Sequence, residues 1–296
     1  MAHCYCLEAL CVLSVQYPSA KPHTSKSKGV SSQAVFDIHY HLLFGLDDGP
    51  KTMEASLEMA EASIAEGVTH IVCTPHANDA YVFQPQLNQE RLAILNERLG
   101  GRLTLGLGCD FYLSYENIED AYKNRTKYTI NGKQFLLVEF SNLSITPAIS
   151  ETFYRLAISG IVPIITHPER NPVLVANPLR LVEWLRSGCL IQITAASLTG
   201  HFGKRAEAVS HQLLKKNWVH FIASDAHSID GRPPAMAEAY LLLQARYGQA
   251  TADRLCIHNP RTVFLGEPMP PQPEPIGLFE EFKSPKRNLF GRILGR

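Results

Sequence analysis

The sequence has 296 residues, and its 28 basic and 28 acidic side chains give a formal net charge of zero. A neutral chain has no overall field that would attract nucleic acid or anionic lipid, so no nucleic-acid partner is expected. Hydrophobic residues make up 45% and charged residues 19%, as in ordinary globular enzymes. No apolar run approaches the roughly 18–20 residues that span a bilayer, so no transmembrane segment is expected.

The first 33 residues do not resemble part of a folded domain. The mildly apolar stretch Cys4–Tyr17 contains Glu8 and has no basic segment before it. Lys21–Ser32 is rich in Ser, Lys and Gly and has no small-residue cleavage site, which disfavours a signal peptide. We interpret residues 1–33 as a poorly ordered leader or an upstream start-site extension.

The cysteines indicate a reducing compartment. There are seven, an odd number, and no C-x-x-C pair occurs among them. Four lie in apolar runs that are typical of core strands or helices, where a thiol behaves as a small buried hydrophobe. A cytoplasmic location is therefore expected.

From residue 34 onward, β-type apolar runs alternate with segments of helical periodicity. The predicted strands are Val35–His39, His70–Thr74, Leu103–Cys109, Gln134–Glu139, Val162–Thr166, Leu190–Thr194 and Val219–Ser224. The predicted helices are Thr52–Glu66, Gln86–Leu99, Ala148–Ser159, Pro178–Ser187, Lys204–Lys216, Pro234–Tyr247 and Ala250–Cys256. This alternation predicts an α/β fold in which parallel strands are joined by helical crossovers, closed into a single distorted TIM-like (β/α)7 barrel over residues 34–266. An open doubly wound sheet is the alternative, because strand order cannot be read from the sequence.

The composition changes after Gly266. Five prolines fall within residues 268–275, which favours an extended linker. Beyond it, aromatic and aliphatic residues mingle with lysines and arginines. We interpret residues 267–296 as a Pro-rich linker and a basic, aromatic tail, disordered or able to dock as a short peptide on a partner or an acidic membrane surface.

Residues that commonly bind metals stand at the C-terminal ends of six of the seven predicted strands. The first strand ends in His39-Tyr-His41, where alternate side chains point the same way, and Asp47 and Asp48 follow in the next loop. The other strand-end candidates are His76, Asp110, Glu139, His167, Asp225 and His227. Each has a structural explanation when taken alone, such as a partly buried histidine or, for Glu139, a helix cap. The sixth strand ends in Thr194-Ala-Ala, which offers no strong ligand.

Taken together, these residues predict a metal centre. The C-terminal rim is where barrel active sites lie, and converging imidazoles and carboxylates are electrostatically costly without a cation. Their number indicates two or three ions, and nitrogen and oxygen donors without thiolate suit Mn²⁺, Fe²⁺ or Zn²⁺ better than Ca²⁺ or Mg²⁺.

Such a centre fits the hydrolysis of a phosphate ester. Two ions about 3.5–4 Å apart can bridge a water, lower its pKa to give a metal-activated hydroxide, and clamp the oxygens of an in-line displacement. Arg170 follows His167 and Arg232 follows His227, so both are candidates for holding the phosphate through their guanidinium groups. A surface salt bridge is the alternative explanation for either arginine alone.

Other hydrolase chemistries lack their motifs. The sequence contains no G-x-x-x-x-G-K-[ST] phosphate loop, no C-x₅-R motif of thiol-based tyrosine phosphatases and no G-x-S-x-G nucleophile elbow. A nucleophilic cysteine or serine is therefore not favoured.

The motifs resemble the polymerase-and-histidinol-phosphatase (PHP) superfamily, and within it the CpsB-type bacterial tyrosine phosphatases of capsule and exopolysaccharide operons. The resemblance extends from about Phe36 to Leu265. Its most specific segments are Asp37-Ile-His-Tyr-His, Asp47-Asp-Gly-Pro-Lys-Thr, Cys73-Thr-Pro-His, Thr166-His-Pro-Glu-Arg and Ser224-Asp-Ala-His with the following Asp230-Gly-Arg-Pro-Pro.

The resemblance implies a PHP-type barrel with three metal ions, most often Mn²⁺. The implied ligands are His39, His41, Asp48, His76, Asp110, Glu139, His167, Asp225 and His227, and the implied phosphate-binding residues are Arg170 and Arg232. Between the adjacent acids, the resemblance selects Asp48, whereas chemistry alone leaves Asp47 equivalent. It also implies a phosphotyrosyl protein as substrate, notably an autophosphorylating tyrosine kinase that controls polysaccharide synthesis.

One ligand position departs from the family, which usually has glutamate where this chain has Asp110. Aspartate is shorter by one methylene, so the resemblance implies altered binding of one ion. Two alternatives remain open. The first is a small-molecule phosphatase of the histidinol-phosphatase kind, and the second is a catalytically degenerate partner of the polysaccharide machinery.

Overall fold

The computed structural model describes residues 34–278, in which every paired strand is parallel to its neighbours. The strands are β1 Val35–Tyr40, β2 Val68–Cys73, β3 His76–Ala77, β4 Thr104–Leu107, β5 Asp110–Tyr112, β6 Phe135–Glu139, β7 Val162–Thr166, β8 Leu190–Thr194 and β9 Phe221–Ala223. They form a three-stranded sheet in the order β1-β2-β4 and a six-stranded sheet in the order β3-β5-β6-β7-β8-β9. The predicted α/β class with parallel strands is therefore confirmed.

Two of the predicted strands end early and are each followed by a short strand that was not predicted. The second ends at Cys73 and is separated from β3 by Thr74 and Pro75, and the third ends at Leu107 and is separated from β5 by Gly108 and Cys109. Proline has no backbone N–H to donate to a ladder, which favours a break at Pro75. Hydrogen bonds continue across the breaks, because Gly108 N donates to Cys73 O at 2.8 Å and Asp110 N donates to Pro75 O at 3.3 Å. The predicted strand Leu103–Cys109 is confirmed in part, as the shorter β4.

The first and last strands lie side by side at their C-terminal ends. Asp225 N donates to His39 O at 2.9 Å, and His41 N donates to Ala226 O at 3.0 Å. These bonds place the residues that follow β9 against the end of β1. The strands nevertheless belong to two sheets, so the closed seven-stranded barrel stays a prediction.

Amphipathic helices follow most of the strands. They are α1 Met53–Ala65, α2 Pro85–Leu99, α3 Tyr115–Lys123, α4 Ile149–Ile158, α5 Pro172–Ala176, α6 Leu179–Arg186, α7 Ala195–Leu198, α8 Gly203–Lys215, α9 Met236–Tyr247, α10 Gln249–Asp253 and α11 Asn259–Leu265. The helices α3, α5, α7 and α11 were not predicted, although Ser114 caps α3 by accepting a hydrogen bond from Asn117 N at 3.1 Å. The predicted helix Ala250–Cys256 is α10 followed by a π-helical turn at Arg254–His258. None of the helices described here is both long and apolar enough to cross a bilayer.

The first part of the Pro-rich segment lies against the folded body. Trp218 Nε1 donates to Ile276 O at 3.0 Å, Arg186 Nε donates to Leu278 O at 2.6 Å, and the Leu278 side chain is buried. The residue limits predicted for the domain and its two flanking segments stay predictions. The interpretations of residues 1–33 and 279–296 lie outside the described residues.

Candidate metal centre

The parallel arrangement gathers the predicted ligands at one end of the strands. Within residues 34–278, three groups of side chains offer donor atoms that all lie within 4.8 Å of one another. The groups are His41, Asp48, His76 and His227; His39, His41 and Asp110; and His76, Asp110 and Glu139. His167 and Asp225 fall outside these groups and lie next to them. The strand-end positions predicted from the sequence therefore converge.

Asp48 connects two histidines from different strand ends. Its Oδ1 lies 3.3 Å from Nε2 of His76 and 3.3 Å from Nε2 of His227. Burial opposes ionisation of this carboxyl, but the neighbouring histidines outweigh it and hold its pKa well below the usual range. Asp48 is therefore an anionic donor facing two nitrogen donors.

Asp110 belongs to two of the three groups, the one that contains His39 and the one that contains Glu139. Its Oδ2 lies 3.5 Å from His39 Nε2 and 3.4 Å from His76 Nδ1, although aspartate is one methylene shorter than the glutamate that the resemblance implies. Asp110 is the first residue of β5, directly after the break between β4 and β5. The interrupted backbone therefore presents the shorter side chain within reach of both histidines.

Two carboxylates complete the cluster. Asp225 Oδ1 lies 3.4 Å from His39 Nε2, and Glu139 Oε1 lies 3.9 Å from His167 Nε2. Burial, together with the negative charge of Asp110, raises the pKa of Glu139 to about 8. Burial opposes protonation of His39, but the charges of Asp110 and Asp225 outweigh it and raise its pKa to about 9. The donors thus sit in a strongly interacting set of opposite charges.

Several buried donor atoms lack a hydrogen-bond partner. They include His76 Nδ1, Asp110 Oδ1 and His227 Nε2. Unpaired buried polar atoms are costly, and a cation bound among nitrogen and oxygen donors would satisfy them. The residues present therefore fit a divalent metal site.

Two residues outside the predicted set orient the histidines of β1. Asp47 Oδ2 lies 2.7 Å from His41 Nδ1, and Gln192 Oε1 lies 3.0 Å from His39 Nδ1. A proton on each Nδ1 leaves Nε2 unprotonated and facing the cluster, as a metal ligand requires. Sequence reasoning left Asp47 equivalent to Asp48 and did not identify Gln192, which lies in the apolar run of β8 without a motif.

Both predicted phosphate-binding arginines reach the cluster. Arg170 and Arg232 each donate to Oδ2 of Asp225, and Arg170 also lies 3.5 Å from Thr194 Oγ1. Burial raises the pKa of a carboxyl, but the charges of His39 and the two guanidinium groups outweigh it and hold the pKa of Asp225 well below its usual range. The arginines therefore converge on one oxygen beside the metal-ligand candidates, although their role with phosphate stays a prediction.

The backbone at the site is constrained. His167 and Asp225 have positive φ angles of 33° and 53°, in a region that L-residues other than glycine rarely adopt. A Cβ on Gly49 would lie 2.7 Å from His41 O, so glycine is required where the Asp47-Asp48 loop approaches β1. Such strained conformations cluster at functional sites.

The sixth strand end, predicted to offer no ligand, is held by Glu169. The buried Glu169 Oε1 accepts hydrogen bonds from Thr194 N at 2.9 Å and from Ser197 Oγ at 2.7 Å. This carboxylate therefore fixes the start of α7 beside Arg170. A glutamate within the His-Pro-Glu-Arg motif was a signal that sequence reasoning did not use.

Comparison with known proteins identifies the family. The model of the family for capsular polysaccharide synthesis, CpsB/CapC, matches residues 35–265. The chain belongs to the CpsB/CapC family. CapC of Staphylococcus aureus is 39% identical over 203 residues, covering 67% of this chain and 78% of CapC. The tyrosine-protein phosphatase YwqE of Bacillus subtilis is 33% identical over 248 residues, covering 81% of this chain and 96% of YwqE.

A solved structure supports the same assignment. It comes from the pair YwqE of Bacillus subtilis and CpsB of Streptococcus pneumoniae, described as unique metal-dependent tyrosine phosphatases. It matches with a TM-score of 0.76 and 32% identity, covering 81% of this chain and 99% of the solved chain. The predicted resemblance to CpsB-type proteins is therefore confirmed. This member of the CpsB/CapC family therefore has side-chain groups that could hold a metal ion.

Proposed function

We propose that this chain is a metal-dependent protein-tyrosine phosphatase that hydrolyses phosphotyrosine on proteins. The observation that carries the proposal is that Arg170 and Arg232 both contact Asp225 beside the three groups of candidate metal ligands. Any two of these groups have one residue in common, which is His41, His76 or Asp110. Family membership and the names of the relatives support this substrate class.

The proposed metal ligands are those expected from the resemblance. They are His39, His41, Asp48, His76, Asp110, Glu139, His167, Asp225 and His227. Three groups sharing ligands support three ions, and the mixed donor set supports Mn²⁺, with Fe²⁺ or Zn²⁺ as alternatives. Bound divalent ions supply Lewis acidity and an acidic water for phosphate-ester hydrolysis.

The protein's own residues position the substrate. Arg170 and Arg232 hold the phosphate oxygens through bidentate guanidinium contacts, which neutralise the charge that the ester brings. Asp225 keeps the two guanidinium groups together until the phosphate arrives. Asp47 and Gln192 hold His41 and His39 with Nε2 toward the centre.

The wider proposal follows the family. The strands close into a PHP-type seven-stranded barrel, a closure supported by the hydrogen bonds between the end of β1 and the residues after β9. The substrate is an autophosphorylating tyrosine kinase that controls capsule or exopolysaccharide synthesis, and the enzyme acts in the cytoplasm.

The test is phosphate release from p-nitrophenyl phosphate and from a phosphotyrosyl peptide, with added Mn²⁺ and with chelator. We expect activity with Mn²⁺ on both substrates and its loss in chelator. A His39→Ala, His41→Ala double variant is expected to be inactive although folded by circular dichroism. Full activity of that variant, or a strong preference for histidinol phosphate over the phosphopeptide, would overturn the proposal.

A further inference from the structure

A cavity of about 330 Å³ lies directly beside Arg170. It is lined by Glu169, Arg170, Pro172, Val175, Phe202, Arg205 and Ala206. Since Arg170 also contacts Asp225 of the metal centre, this guanidinium forms a boundary between the cavity and the catalytic cluster. A substrate held at Arg170 therefore extends next to this cavity.

The ring of Phe202 forms one wall of the cavity and supports Arg170. The guanidinium carbon of Arg170 lies 4.2 Å from the centroid of this ring, which is the geometry of a cation–π contact. Pro172, Val175 and Ala206 add further apolar surface. The volume and this lining suit an amino-acid side chain with an apolar stem rather than a second phosphate.

The charge of the cavity distinguishes it from two others at the metal centre. One of these is lined by Asp79 and Glu139, and the other by Asp48, Glu58 and Asp230 together with Lys51. Among the residues that line the cavity beside Arg170, the only carboxylate is that of Glu169, which is buried and whose Oε1 accepts two hydrogen bonds. This cavity therefore has the most positive lining of the three, which favours an anionic side chain next to the scissile phosphate.

Arg205 supplies an unused positive charge. Its side chain is exposed, and within residues 34–278 it makes no ion pair, whereas the neighbouring Lys204 pairs with Glu207 at 3.6 Å. Arg205 also lies in the first turn of α8, which contains no acidic residue. A cation is unfavourable near a helix N-terminus, so an incoming carboxylate improves the local electrostatics.

We propose that this cavity is a substrate subsite that takes the residue adjacent to phosphotyrosine and prefers an acidic side chain, paired with Arg205. The inference rests on the proposed phosphatase function and adds a sequence preference to it. The stem of the acidic residue packs against Phe202 and Pro172 while its carboxylate meets the guanidinium of Arg205. The phosphate of the neighbouring tyrosine is held by Arg170.

The test compares two phosphotyrosyl peptides that differ only in having glutamate or glutamine on both sides of phosphotyrosine. The enzyme is used as the full chain with saturating Mn²⁺, and kcat/KM is measured for each peptide. We expect the glutamate peptide to be preferred by about two- to fivefold, the range of an exposed ion pair. The Arg205→Gln variant is expected to reduce this ratio to about one, mainly through KM.

An exposed arginine elsewhere provides the control. Arg98→Gln removes the same charge from α2 and is expected to keep the peptide preference of the unmodified chain. Equal kcat/KM for the two peptides in the unmodified chain, or an unchanged preference in Arg205→Gln, would overturn the subsite. Failure to hydrolyse either peptide would instead overturn the proposed phosphatase function, so the two failures are distinguishable.

Discussion

Oδ2 of Asp47 lies 2.7 Å from Nδ1 of His41, on the side of the imidazole that faces away from Asp225 and His39. The other oxygen of Asp47 accepts a hydrogen bond from Gly49 N at 2.9 Å, and Oδ2 also accepts one from His76 N at 3.2 Å. With both oxygens occupied in this way, Asp47 orients a proposed ligand while Asp48 faces the candidate metal centre. The adjacent acids therefore have different roles.

The Asp47→Asn variant is expected to weaken Mn²⁺ binding by about 10–100-fold, the usual effect of losing a residue that orients a ligand. Asparagine keeps the size of the side chain but removes the negative charge that favours a proton on Nδ1 of His41. Isothermal titration with Mn²⁺ measures the change. Glu90→Gln, an exposed charge removal on α2, is the control, and unaltered affinity in Asp47→Asn would contradict this role.

The Asp110→Glu variant tests the departure from the family. The carboxylate of Asp110 is buried and already lies within 3.5 Å of both His39 and His76. An extra methylene overpacks this position, which typically costs about 1–3 kcal/mol, so we expect a lower thermal midpoint and less Mn²⁺ per chain under limiting metal. Elemental analysis and thermal melts measure these effects.

Asp110→Asn is the companion variant, because it keeps the length and removes the charge. It is expected to lose Mn²⁺ without the packing penalty. If Asp110→Glu instead gains metal occupancy and activity, the interrupted strand is not adapted to the shorter side chain.

The Arg170→Met variant is expected to reduce kcat/KM for p-nitrophenyl phosphate by about 10²–10³-fold. This is the usual effect of removing one hydrogen-bond donor that stabilises the negative charge of a transition state. Methionine keeps much of the apolar stem over Phe202. The inhibition constant of inorganic phosphate, measured in parallel, reports ground-state binding. Arg155→Met is the matched control, since Arg155 also lies 4.2 Å from a ring centroid, that of Tyr122. Equal kcat/KM values in the two variants would exclude Arg170 from phosphate binding.

Strand-end positions made much of the site predictable from the sequence. Parallel strands bring their C-terminal ends together, so His76, Glu139 and His167 could be grouped without knowing any distance. The break before Asp110 could not be foreseen, because it depends on how Gly108 and Asp110 pair with the neighbouring segment. Gln192 was missed for a related reason. It is a polar residue inside an apolar strand, and its role depends on a hydrogen bond with His39, which lies 153 positions away in the sequence.

Titration of His220 is expected to make the metal-free protein less stable in acid. His220 precedes β9, and its ring Nδ1 accepts a hydrogen bond from Ile191 N at 3.1 Å, which requires an unprotonated Nδ1. Burial, together with the nearby guanidinium of Arg254, lowers the pKa of His220 to about 4. An unfolded histidine has a pKa of about 6.5, so between these values the unfolded chain binds a proton that the folded chain does not.

The sign of the effect follows from this difference. The stability that neutral His220 contributes is fully present above about pH 6.5 and is lost as the pH falls toward 4. Partial exposure of this side chain to solvent weakens the effect, so we expect a loss of about 1–3 kcal/mol. Urea unfolding of metal-free protein from pH 7 to pH 4.5 measures the loss. His220→Asn keeps an acceptor but does not titrate, so its free energy of unfolding is expected to fall less steeply than that of the unmodified chain. His258→Asn, at an exposed histidine, is expected to follow the unmodified chain, and parallel curves for all three proteins would show that His220 does not titrate on unfolding.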